Sequence, residues 1–154
     1  MIPSDQFVRF YNEVFKFLDA KGGGALEEYY RAVSGQQEMH CLARFKAQGL
    51  AGMKAYWDRI AAEENCDMTC TLDDDRLVIE MRRCPSLGKA MDNDAGAFER
   101  YCDHCPGWVI PLLEKAGFHC DYDMIDRSRP QCRMTIFAAD PARPSRVRCG
   151  GSAS

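Results

Sequence analysis

At 154 residues the chain is long enough for one domain with a real core, and 46% apolar and 28% charged residues are ordinary for a globular fold. A formal charge of −3 offers no basic field to DNA, RNA or an anionic membrane. No apolar run nears the roughly 18–20 residues that span a bilayer, so neither nucleic acid nor a membrane is expected as a partner.

The opening MIPSDQFVRFYNEVFKF mixes acidic side chains with periodic aromatics, unlike the basic start and continuous apolar core of a secretory signal. A cytoplasmic setting is the expectation. There the nine cysteines stay reduced, and an odd number cannot pair fully within one chain. A buried thiol behaves as a small hydrophobe, which is the reading for Cys41, Cys66 and Cys70. Cys149 is expected to be exposed.

Ser4 is placed to cap a first helix, whose apolar positions Phe7, Phe10, Tyr11, Val14, Phe17 and Leu18 recur at three- and four-residue steps. The run Gly22-Gly23-Gly24 ends it. A second helix is predicted over 25–34, with Leu26, Tyr29, Tyr30 and Val33. After Ser34-Gly35 a third carries Met39, Leu42 and Phe45, and a fourth over 50–64 presents Met53, Tyr56, Trp57 and Ile60. Aromatics at this spacing are core far more often than a cofactor box.

From Asn65 the period changes to two. Met68, Cys70 and Leu72 alternate, Asp73-Asp74-Asp75 turns the chain, and Leu77, Ile79 and Met81 alternate again, predicting a hairpin. A helix is predicted over 94–116, broken or bent near Pro106 and ended by Gly117. Residues 118–125 alternate, a turn falls at 127–130, and QCRMTIFA alternates once more. The expected fold is α+β. Helices in 1–65 pack with a ββαββ unit in 66–139, whose four-stranded sheet is largely antiparallel. Residues 140–154 lose periodicity and gain Pro, Arg, Gly and Ser, which predicts a flexible tail. A homo-oligomer stays open.

The stretch RYCDHCPGW sets Cys102 and Cys105 three apart, on one face of a helix, with His104 between them. A lone C-x-x-C lacks the second pair usual for structural zinc, but Cys84, Cys120, Cys132 and His119 are available from elsewhere. The alternative is thiol chemistry. Cys84 follows Arg82-Arg83, whose charges would favour a thiolate although strand alternation puts the two on opposite faces, and Pro85 stops its strand. His104 is either a base or ligand, or a solvated helix residue beside Asp103. His119 is expected on the outer face of its strand. Cys120 shares a strand face with Phe118, Tyr122 and Met124, and Cys132 shares one with Met134 and Ile136, so both also fit a core.

The segments VIEMRRCPSLGKAM, RYCDHC and EKAGFHCDYDMIDRSRPQCRMTIF resemble the L-2-amino-thiazoline-4-carboxylic acid hydrolase-like family. They are more distantly similar to vinyl-reductase-type small-molecule-binding domains. The shared pattern is a strand ending in R-C-P, a helical cysteine beside an acidic residue or histidine, and a last strand opening with cysteine. Cys84, Cys102 and Cys132 fall on those positions, and the likeness spans residues 65–138. Cys105-Pro106 and Arg129-Pro130-Gln131 depart from it. The resemblance implies a pocket between helices and sheet and a hydrolase acting on a C–N bond of a small heterocyclic or amide substrate. Cys84 would be its nucleophile and His104 its proton shuttle. Alternatively Cys84, Cys102, Cys105 and Cys132 hold zinc or another transition-metal ion, for catalysis or in a non-catalytic sensor module.

Overall fold

The computed structural model describes residues 3–64, 66–92, 96–126 and 129–150. Helix α1 (Pro3–Lys21) starts at Pro3, where a missing N–H costs nothing. Ser4 therefore lies inside the first turn rather than ahead of it, and its side chain falls outside the described residues. Gly22, Gly23 and Gly24 take φ of 69°, 65° and 77°, a left-handed run open to glycine, and reverse the chain.

Helix α2 (Ala25–Glu63) runs through the first of the two boundaries that the sequence predicts within it and is kinked at the second, just before residue 50. The break expected at Ser34-Gly35 does not occur. A lone helical glycine costs only about 1 kcal/mol, and burying Leu26, Tyr30, Cys41 and Phe45 along one side of the helix outweighs that. The real break is Gly49, at φ 55° and ψ −145°, which kinks the helix before the stretch carrying Met53, Tyr56 and Trp57.

Strands β1 (Asp67–Leu72) and β2 (Arg76–Arg83) form the predicted antiparallel hairpin, pairing Met68 with Met81, Cys70 with Ile79 and Leu72 with Leu77. Pro85 ends β2 but also opens a short helix absent from the sequence prediction, α3 (Pro85–Met91). The helix predicted over 94–116 is shorter. Residues 94 and 95 lie outside the described residues, a 3-10 turn spans Tyr101–Asp103, and α4 (His104–Lys115) follows. This start puts Pro106 in the first turn, where its missing donor is harmless.

Strands β3 (Phe118–Asp126) and β4 (Gln131–Ala138) pair antiparallel, as expected. Of the turn predicted between them, 127 and 128 lie outside the described residues. The four-stranded expectation gives way to five strands in a mixed sheet, ordered β1-β2-β4-β3-β5. Strand β5 (Arg146–Cys149) comes from the stretch predicted as a tail and runs parallel to β3. Specific contacts hold this segment: Arg143 pairs with Asp121 at 2.9 Å, its guanidinium lies 3.8 Å from the Phe137 ring centroid, and the Cys120 N–H donates to Ser145 Oγ.

Two apolar clusters result. In one, Cys41, Phe45 and Met53 of α2 and Leu112 and Leu113 of α4 pack on the sheet face made by Leu77, Ile79, Cys120, Tyr122, Met134 and Ile136. The other gathers Phe15, Leu26, Tyr30, Leu87, Ala90 and Tyr101. Cys102 packs against both. The seam between them holds the chemistry.

Candidate functional site

Four cysteines meet in this seam. Cys84 at the end of β2, Cys102 in the 3-10 turn, Cys105 in the first turn of α4 and Cys132 at the start of β4 line one cavity of about 30 Å³ with Tyr101, His104 and Tyr122. Strand alternation turns Cys132 and Tyr122 to the helix side, while the antiparallel neighbours β2 and β4 bring Cys84 towards Pro130, whose carbonyl accepts the Cys84 N–H at 2.7 Å. Cys84, Cys102 and Cys132, which lie just past one strand, in the turn and at the start of another strand, thus line the same cavity.

Cys84 caps α3. Its Sγ accepts the Leu87 N–H at 3.4 Å, and burial is the main influence on the thiol, raising its pKa despite that bond. The neighbouring arginines do not create a thiolate: Arg82 turns outward to Asp67 at 2.7 Å, and Arg83 is exposed. The expectation of a charge-activated Cys84 is thereby corrected: Arg82 is paired with Asp67, and burial rather than a neighbouring charge is the main influence on the thiol.

His104 is not a solvated helix residue. It is 8% exposed and boxed by Trp108, Tyr101 and Phe15, with ring centroids 4.6, 5.0 and 5.4 Å away. Burial pulls its pKa down from 6.5 to about 4, so the ring is neutral at physiological pH. Its Nδ1 meets the Tyr101 carbonyl, which can only accept, so Nδ1 carries the proton. Nε2 is then the acceptor, and it lies 3.3 Å from Cys105 Sγ, whose thiol donates to it.

Cys84, Cys105 and Cys132 are held protonated at rest. Burial pushes Cys105 up to about 11 and Cys132 up to about 12. The Tyr122 hydroxyl donates to Cys132 Sγ at 3.5 Å and also interacts with Cys105; its own pKa lies well above the usual tyrosine value because the ring is buried. Tyr101 bonds Ser86 through its hydroxyl at 2.7 Å. Neither tyrosine was singled out from the sequence for chemistry, although Tyr122 held a readable signal. A tyrosine on the inward face of a strand needs a partner for its hydroxyl.

Among the described residues, no group of three or more His, Cys, Asp or Glu side chains is disposed to hold a metal ion. Cys84, Cys102, Cys105 and Cys132 share a wall rather than a ligand sphere. Three of them, Cys84, Cys105 and Cys132, would also have to surrender protons that burial makes hard to lose. Cys120 is fully buried in the sheet core and His119 faces outward, with Nδ1 2.8 Å from the Arg143 carbonyl. All nine cysteines are thiols, and Cys149 is exposed as expected.

A larger cleft of about 490 Å³ adjoins the cavity. Cys84 and Pro130 line both, and Arg83, Lys89, Asp67 and Asp92 line the cleft alone. No helix is long and apolar enough to cross a membrane among the described residues. No protein-family model, no curated protein and no solved structure matches this chain.

Proposed function

We propose that the protein is a cysteine-dependent hydrolase of C–N bonds in small heterocyclic or amide substrates, with Cys105 rather than Cys84 as nucleophile and His104 as its base. The observation that carries this reading is the 3.3 Å contact of His104 Nε2 with Cys105 Sγ, in the tautomer fixed by the Tyr101 carbonyl. The resemblance to the amino-thiazoline-carboxylate hydrolase-like family suggests the substrate class alone, since it implies Cys84 as nucleophile and Cys105 departs from its pattern.

Both partners are neutral at rest, so the proton moves only as attack occurs, which is general-base catalysis rather than a standing thiolate–imidazolium pair. As the Cys105 sulfur bonds to the electrophilic carbon, its proton passes to His104 Nε2. The imidazolium then gives that proton to the departing nitrogen as the C–N bond breaks. Water attacks the resulting thioester or thioimidate, with Nε2 taking its proton and returning it to the sulfur. Tyr122, kept protonated by burial, donates to Cys132 Sγ at rest and would turn its O–H to charge developing beside Cys105. A cavity of about 30 Å³ has room for about one water molecule. Only the reacting atoms would enter it, with the rest of the substrate in the adjoining cleft.

The test is amine or ammonia release from a panel of 2-aminothiazolines, cyclic amidines and small amides. Cys105→Ala is expected to abolish turnover and Cys84→Ala to spare most of it, with activity unchanged by chelator. Full activity in Cys105→Ala would remove the proposal. The protonated, closed cavity also favours a second reading, a non-catalytic ligand-binding module. Saturable heat of binding without turnover would select it.

A further inference from the structure

Helix α1 carries two apolar stripes of the same spacing. Val8, Tyr11, Phe15 and Leu18 pack onto the body of the molecule, with Phe15 fully buried. Phe7, Phe10, Val14 and Phe17 repeat the three-four-three steps along an adjacent face. Val14 is half-buried against the body, but the three phenylalanines are 64%, 62% and 68% exposed. One exposed phenylalanine is unremarkable on any surface; three in line on one helix form a patch that needs a partner.

We propose that this stripe is the contact of a symmetric dimer in which two copies of α1 pack antiparallel. The three-four-three spacing is that of a helix–helix seam. It also reads the same in both directions, since 7 and 17, like 10 and 14, are equidistant from position 12. A two-fold axis there sets Phe7 against the partner's Phe17 and Phe10 against the partner's Val14. An isologous contact requires a surface that is self-complementary in this way.

The area is sufficient for a weak, specific dimer. An aromatic side chain offers about 200 Å², so three rings two-thirds exposed supply about 400 Å² per copy and about 800 Å² for the pair. Val14 and the flanking side chains bring this towards the lower end of a standard interface, about 1,200 Å². Glu13 flanks the stripe near the axis and is held by Lys16 at 2.9 Å, so no bare carboxylates face each other. The helix balances Asp5, Glu13 and Asp19 against Arg9, Lys16 and Lys21, and so lacks the cationic face that holds a helix on an anionic membrane.

Sedimentation equilibrium of the full chain across the micromolar range tests the dimer, with reductant present so that exposed Cys149 cannot cross-link it. The mass is expected to rise from 17.4 kDa towards twice that value. Phe10→Glu and Phe17→Glu are each expected to hold the chain at monomer mass with an unchanged circular dichroism spectrum, both positions being solvent-exposed. A wild-type chain that stays monomeric throughout overturns the proposal without reference to any variant. So does a dimer that both substitutions leave intact. Flotation of a monomeric chain with phosphatidylcholine or phosphatidylserine vesicles would assign the stripe to lipid instead, and equally overturn it.

Discussion

Replacing His104 with asparagine removes a titrating ring while keeping an N–H where Nδ1 donates to the Tyr101 carbonyl. The folded pKa of about 4 lies below the ordinary 6.5, so between these values the unfolded chain binds a proton that the folded chain refuses. Stability contributed by the neutral ring is therefore complete above about pH 6.5 and is lost as pH falls towards 4. At about 1.36 kcal/mol per pH unit the loss is about 2 kcal/mol by pH 5 and about 3 kcal/mol below pH 4. Glu13 and Glu27, whose ion pairs hold their pKa values low, lose stability in more acid solution, but they are present in both proteins and cancel in the comparison. Urea unfolding at pH 7.5, 6 and 5 provides the measurement. The asparagine variant should start less stable, having lost its packing against Trp108 and Phe15, yet fall by about 2 kcal/mol less than wild type between pH 7.5 and 5. Parallel pH profiles would mean that the ring is not held neutral. The assignment of Nε2 as the resting acceptor for the Cys105 thiol would fall with it.

Iodoacetamide at neutral pH should label Cys149 quickly and Cys84, Cys105 and Cys132 slowly, because burial keeps the last three protonated; peptide mapping over time reads the order. Deleting residues 140–154 should lower stability by about 2 kcal/mol, through loss of the β5 pairing, the Arg143–Asp121 ion pair and the cover over Phe137. An unchanged melting curve would show that this segment adds nothing. Gly49→Ala should cost about 1–3 kcal/mol, since φ 55° with ψ −145° is a conformation reserved for glycine, and thermal unfolding measures it. The same change at Gly35, which is helical and exposed, should instead be neutral or stabilising.

Periodicity alone determined the helical first half, the hairpin of β1 and β2, and the pairing of β3 with β4. Side-chain repeats of 3.6 and 2 follow from backbone geometry and need no distant partner to be read. It also placed Cys84 and Cys132 at strand ends and Cys102 on the crossing segment, the positions from which all three line the cavity. The glycine run at 22–24 was legible as a stop because three such residues together lose too much entropy to remain helical. The lone Gly35 and Gly49 were not separable by this means, because local composition does not say which glycine will be carried through by burial on both sides. The strand at 146–149 was hidden for a related reason. All four of its residues are exposed, so no alternation marks it, and its structure comes from hydrogen bonds to a parallel neighbour more than twenty residues away. Tertiary structure alone decided the chemistry of the cavity. Whether a thiol is lowered by arginines or raised by burial depends on what pairs with Arg82 and what covers the sulfur. Likewise, His104 is a neutral ring with Nε2 turned to Cys105 because Phe15, 89 residues earlier, helps to shut out the water that would have charged it.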